Sequence, residues 1–156
     1  MNLLEINDLL TEIRQQEDSL QWPVFNEALA WELGCTLQRG AELNQAAVHI
    51  EIEAFGRLLF VCAMPGSAPS NADWARRKRN VVHLLQHSSL AIGLGLKRDE
   101  TNLQEKMGLP DRDYAPHGGS FPLRILGSGC IGSITVSGMP EFDDHALIVS
   151  VLQSSA

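Results

Sequence analysis

Residues 47–54 read AVHIEIEA, a strict alternation of apolar and polar side chains. Successive side chains of an extended strand point to opposite faces, so this period of two predicts a strand and argues against a helix. Val48, Ile50 and Ile52 fall on one face, and His49, Glu51 and Glu53 on the other. Such a strand is expected to be half exposed. Phe55-Gly56 predicts a turn, after which RLLFVCAM returns as a second strand. That strand is apolar on both faces and is therefore expected at the centre of a sheet, covered on both sides.

A second hairpin is predicted from SFPLRIL and CIGSITVS, joined through Gly127-Ser128-Gly129. Strands joined by turns this short are antiparallel. Around the hairpins lie helical periodicities. Leu3, Ile6, Leu9, Leu10 and Ile13 predict a helix over 3–17, and Pro23 breaks the chain beyond it. Asn26 suits an N-cap for a helix carrying Leu29, Leu33 and Leu37, with Gly40 near its end. Asn71 is expected to cap a third helix, with Trp74, Lys78, Val81 and Leu85 on one face. Residues 88–98 alternate like a strand, yet Ser88 or Ser89 can cap a helix, and a helix is the reading adopted. Thr101 and Gln104 have capping-box spacing for a short helix ending at Gly108. Asp143 and Asp144 suit the start of a terminal helix that buries Ile148, Val151 and Leu152. Residues 20–25 are expected to add an edge strand. The fold class is α+β, an antiparallel sheet flanked by helices, in a single domain over 1–156.

The chain is 44% hydrophobic and 20% charged, enough to bury a core and too apolar for disorder. Its net charge of −7 argues against a dedicated nucleic-acid binder. The exception is Arg76-Arg77-Lys78-Arg79. Arg76 and Arg79 are expected on a solvated face or against acids of another subunit. No apolar run approaches membrane-spanning length, and the first twenty residues lack the layout of a signal peptide. Cys35, Cys62 and Cys130 form no CxxC and are expected as reduced thiols, which fits a cytoplasmic protein.

The candidate site is YAPHGGSFP, residues 114–122. Glycine pairs let a ligand approach the backbone, and successive exposed N–H groups bind carboxylates or phosphates. His117 offers a metal ligand or a proton carrier. The competing reading is a strand-entry turn in which the glycines serve only a sharp bend. Lys78 shares a stripe with Trp74 and Val81. Either its stem lies on the core while the ammonium snorkels out, or it anchors a carboxylate. His83 and His87 have the i, i+4 spacing of a metal pair, but no HExxH acid or third ligand accompanies them, so exposed helical histidines are expected and no metal is assigned. His49 lies on the polar face of its strand and is expected to be ordinary. His145 joins His117 only if the last helix packs on the 114–122 loop. Ser137-Gly138 lacks a GxSxG context, so no hydrolase nucleophile is expected.

FNEALAWELG, FVCAMPGSAPSNADWARRKRNVV, DYAPHGGSFPLRI and GSITVSGMPEFDDHALIV occur in this order, and together they resemble the haem-degrading or HbpS-like family, related to GlcG-type proteins, over residues 25–152. The resemblance implies a profilin-like fold, a homo-oligomer and, for some relatives, haem. The motif positions it carries over are Asn71, Trp74, Arg77, Lys78, Asn80, His117, Gly118, Gly119, Phe121, Pro122, Ser137, Gly138, Asp144 and His145. No position matches an axial haem ligand. The reading that follows is an oligomeric protein that binds a small anionic or haem-like ligand through His117, Gly118, Gly119, Lys78, Trp74 and His145. The alternatives are a haem-degrading enzyme and a non-catalytic oligomeric scaffold.

Overall fold

A computed structural model describes residues 1–155. Among these the order is α1 (Leu3–Ser19), α2 (Glu27–Leu43), β1 (His49–Ala54), β2 (Arg57–Ala63), α3 (Pro69–Leu85), α4 (Ser89–Arg98), α5 (Leu103–Met107), β3 (Ser120–Ile125), β4 (Gly129–Ser137) and α6 (Glu141–Ser154). Local chemistry sets the helix starts. Asn26 Oδ1 accepts from Leu29 N at 2.9 Å, and Ser88 Oγ accepts from Ala91 N at 3.2 Å, so residues 89–98 are a helix. Two expected caps shift. Pro69 takes the first turn of α3, Ala68 occupies the cap position, and Asn71 Oδ1 reaches back to accept from Ala68 N at 2.8 Å. Asn102 rather than Thr101 caps α5, accepting from Glu105 N at 2.9 Å, and the helix ends at Gly108 with φ 70°.

The four strands form one antiparallel sheet in the order β2-β1-β4-β3. This reverses the expectation for the first hairpin. The alternating strand β1 is central, and β2, apolar beyond Arg57, is the edge. Leu58 and Val61 of β2 are 51% and 53% exposed. His49 and Glu51 of β1 are buried. Hydropathy misleads here because the polar face of β1 is covered by a helix that carries matching charges.

That helix is α3. Arg79 donates to Glu51 Oε1 at 2.6 Å, and the pair is largely buried. His83 Nε2 lies 3.1 Å from Ser133 Oγ on β4 and also meets the Glu53 carboxylate. His49 lies 3.3 Å from Glu51. Ser120 and Thr135 are hydrogen-bonded at 2.8 Å on the same face. Arg79, expected in solvent or at another subunit, is thus satisfied within its own chain. His49, expected on the open face of its strand, is buried in this layer, whereas His83 is an exposed helical histidine, as expected, whose ring reaches the layer's edge. Arg76 stays near the surface, paired with Asp113 at 3.0 Å.

The opposite face of the sheet is apolar. Ile50 and Ile52 of β1, Phe121 and Leu123 of β3, and Ile134 and Val136 of β4 are buried against Leu33 and Leu37 of α2 and Ile148 and Leu152 of α6. The expected edge strand at 20–25 is a single parallel bridge, Trp22 to Ile125, because Pro23 has no N–H with which to continue it. The three cysteines are unpaired and partly buried, and burial pushes the Cys130 thiol up. No helix of the described residues is long and apolar enough to cross a membrane.

A buried pair broken on one side leaves an uncompensated charge, costing about 3 kcal/mol or more. Glu51→Ala is therefore expected to destabilise strongly. The double change Glu51→Leu with Arg79→Leu should recover most of the loss, and urea denaturation of the two variants measures the difference.

Candidate ligand cleft

Four segments meet at one end of the sheet: the first half of α3, the 114–119 loop, the end of β4 and the start of α6. Between them is a cleft of about 350 Å³ lined by Trp74, Lys78, His117, Ser137, Met139 and Glu141, with Asn71 and Gly138 at its margin. Three side chains of α3, Asn71, Trp74 and Lys78, enter it because their spacing of three and four residues places them on one helical face.

Lys78 is the buried member. Only 5% of it is exposed, and Nζ donates to Asp144 Oδ2 at 3.1 Å. Asp144 also accepts from Gly138 N at 3.3 Å and Met139 N at 3.0 Å. Burial raises the Asp144 carboxyl pKa, while Lys78 and these two amides draw it back. The ammonium does not snorkel out; it has found the carboxylate partner that a buried cation requires. An ammonium has three N–H groups, so the one bond to Asp144 leaves donors to spare beside the cleft.

His117 is 52% exposed, with Nδ1 3.5 Å from Glu141 Oε2. Its ring meets Trp74 edge-on at 6.1 Å between centroids, and the Arg77 guanidinium lies 4.3 Å over the indole. The hydrogen bond from His117 holds the Glu141 carboxyl below its usual range, with Gly118 N adding a contact at 3.3 Å. Glu141 is the residue that reading the sequence missed. Its only signal is an acid directly after Pro140 at a helix start.

The glycine pair departs from the expected nest of free amides. Gly118 and Gly119 are buried, and Gly118 N–H is already given to Glu141. A Cβ at 118 would lie 2.3 Å from the Glu141 carbonyl oxygen. At 119 (φ +134°) it would lie 2.3 Å from Val136 O and 2.9 Å from Lys78 Nζ. The glycines therefore let the loop press onto α6 and β4, and His117 alone of HGG lies open. Arg77 and Asn80 hold the same loop from α3: Arg77 Nε donates to Asp111 O at 3.1 Å, and Asn80 Nδ2 to Asp113 O at 2.8 Å.

His145 does not join the cleft. Although α6 packs on the loop, its helical rotation turns Asp144 toward Lys78 and His145 toward α1, where Nε2 lies 2.8 Å from Gln16 Oε1. The imidazole is 5% exposed, tilts against Phe121 at 5.8 Å, and leaves Nδ1 without a partner. His87 pairs with Glu17 at 3.0 Å, far from any metal arrangement with His83. Among the described residues no group of three or more His, Cys, Asp or Glu side chains is placed to hold a metal ion.

A four-stranded antiparallel sheet with helices on both faces, and a polar cleft at the end of its central strands, defines the class. Residues 25–153 match the family described as haem degrading protein HbpS-like, and the chain belongs to it. A UPF0303 protein of Azotobacter vinelandii (strain DJ / ATCC BAA-1303) is 52% identical over 143 residues, covering 92% of this chain and 86% of the relative. The crystal structure of Ybr137w protein superposes with a TM-score of 0.86 at 28% identity, covering 94% of this chain and 87% of that one. HbpS itself superposes at 0.66 with 18% identity, covering 86% and 92%. A PduOC:heme complex superposes at 0.67 with 14% identity, covering 85% and 94%. The last two likenesses establish a shared fold.

Burial lowers the His145 pKa to about 4. The unfolded chain takes up this proton near the ordinary value of about 6.5, so between these limits it binds more protons than the native state. Stability is expected to fall as pH drops from about 6.5 to about 4, by up to about 3 kcal/mol from this group. His145→Gln should flatten that part of the profile, as read from urea midpoints across the range.

Proposed function

We propose that this chain is a single-domain, oligomeric protein that binds a small carboxylate-bearing ligand, of which haem is the leading case, in the Lys78–His117 cleft. The observation that carries the reading is the buried ammonium of Lys78, held by Asp144 and still possessing donors beside an open cleft. A carboxylate reaching those donors exchanges water for a charge-assisted hydrogen bond in a sheltered place. The indole edge and the half-exposed imidazole supply a wall for a planar body.

The donor set suits haem in chemistry. Glu141 faces His117 Nδ1, which orients the ring, so that Nε2 would be the atom to hold the iron, and Lys78 would offer N–H groups to a propionate. When bound, haem would supply its iron for ligand or redox chemistry. The family description and the haem-bound relative of the same fold support this choice of ligand. Three unpaired thiols favour a reducing, cytoplasmic setting.

Haem added to the purified protein is expected to shift the Soret band, and His117→Ala should abolish that shift. An unchanged shift in the variant rejects His117 as a residue that would hold the iron. The paired change Lys78→Met with Asp144→Asn removes the anchor without stranding a buried charge, and should weaken binding about tenfold. A reductant added to the complex separates the alternatives: haem recovered intact argues for binding alone, and open-chain product argues for a degrading enzyme.

Self-association has its own support. The β2 edge presents Leu58 and Val61 to solvent, and Trp31 of α2 stands beside it, 5.4 Å from the Phe60 ring. An exposed apolar edge strand is a template for pairing with another chain, and a second copy is the occupant proposed here. Val61→Lys should reduce the mass measured by light scattering, and a monomeric wild-type protein would refute the assembly.

A further inference from the structure

A second pocket, of about 240 Å³, opens among α1, α4, α5 and the last turn of α3. Leu85, at its edge, lies eleven residues along α3 from Trp74, or about 16 Å at the helical rise. The pocket is therefore separate from the Lys78–His117 cleft. Its walls are Leu10 of α1, Ile92 and Leu96 of α4, and Leu103 and Met107 of α5.

The floor includes Gly95, in the interior of α4. A glycine there costs roughly 1 kcal/mol relative to alanine, so it calls for a reason. Its neighbour Gly93 has one: a Cβ at 93 would lie 2.0 Å from Pro116 O. Gly95 has none within the chain. Its φ is not among the positive ones, and the nearest atom to a Cβ there would be Arg98 Nη2 at 3.9 Å. The missing side chain is pocket volume.

Charge at the pocket is uneven. Arg14 and Lys106 border it, both exposed, and neither forms an ion pair among the described residues. Arg98 is taken by Asp99 at 2.8 Å. Glu17 also borders the pocket; Arg124 and His87 both meet its Oε1, each at 3.0 Å, and its Oε2 is buried without a hydrogen-bond partner. An apolar hollow with two uncommitted cations at its border selects an amphipathic organic anion: an aliphatic body against the leucines and a carboxylate toward Arg14 and Lys106. In a chain of net charge −7, two unpaired cations beside one hollow are a local departure from the overall field.

We propose that this pocket binds an aliphatic monocarboxylate, independently of the Lys78–His117 cleft. Octanoate is the probe, followed by amide NMR shifts. It should move the signals of Ile92, Gly95 and Leu96 saturably, and leave those of Trp74 and Gly118 in place. Gly95→Leu fills the hollow with a better helix former, so its Tm should equal or exceed that of the wild type while octanoate affinity falls at least about tenfold. Should that variant fail to fold, Lys106→Glu at the exposed border is expected to weaken binding about threefold or more. His117→Ala should leave octanoate affinity unchanged. Absence of saturable shifts, shifts centred on Gly118, or wild-type affinity in the folded variants would overturn the proposal.

Discussion

A lysine ammonium withdrawn from water needs a carboxylate at hydrogen-bond distance, and Lys78 of α3 finds Asp144 of α6. This contact ties together two helices from opposite faces of the sheet. Asp144 in turn accepts from the amides of Gly138 and Met139, so the same carboxylate anchors the end of β4 and the turn into α6. The cleft exists because these three elements are held at one point while the 114–119 loop arches over them. Leaving either charge without the other would strand a buried ion, so the pair also explains why the entry to α6 is so tightly bonded.

The sheet is built asymmetrically around that anchor. One face is a hydrocarbon core made with α2 and α6, where burial supplies the main driving force. The other is a layer of ion pairs and hydroxyls beneath α3, where Arg79 pairs with Glu51 and His83 meets Ser133 and Glu53. Such a layer contributes less net free energy per contact than hydrocarbon, but its geometry is directional. It sets the rotation of α3 about its axis. That rotation decides which side chains reach the cleft: Asn71, Trp74 and Lys78 do, while Arg76 turns to the surface.

The same rotation gives meaning to the run Arg76-Arg77-Lys78-Arg79, which in isolation resembles a basic patch. Its four cations go four ways. Arg76 pairs with Asp113, Arg77 covers Trp74, Lys78 enters the cleft and Arg79 meets Glu51. Consecutive helical residues are about 100° apart, so a charge run on a helix is dispersed around it. The basic run consequently serves loop, cleft and core at once.

Much of the architecture was legible in local chemistry. The period of two at 48–53, the glycine turns at 55–56 and 127–129, and the caps at Asn26 and Ser88 each act within a few residues, so the two hairpins and the helices around them follow from the chain itself. His117, Lys78 and Trp74 stand out in the sequence, through a glycine pair beside a histidine and a charge on an apolar stripe, and all three line the cleft. What neighbours in sequence do not contain is which faces come together. The polar alternation of β1 reads as exposed until α3 brings Arg79 over it, and the apolar β2 reads as central until the sheet order leaves it at the edge. His145 and Asp144 are adjacent, yet one turns toward Gln16 and the other toward Lys78. Glu141 lines the cleft only because α6 begins beside the loop. Hydrogen-bonding range and helical period fix the elements, whereas long-range packing fixes which charged groups meet, and the cleft is made of such meetings.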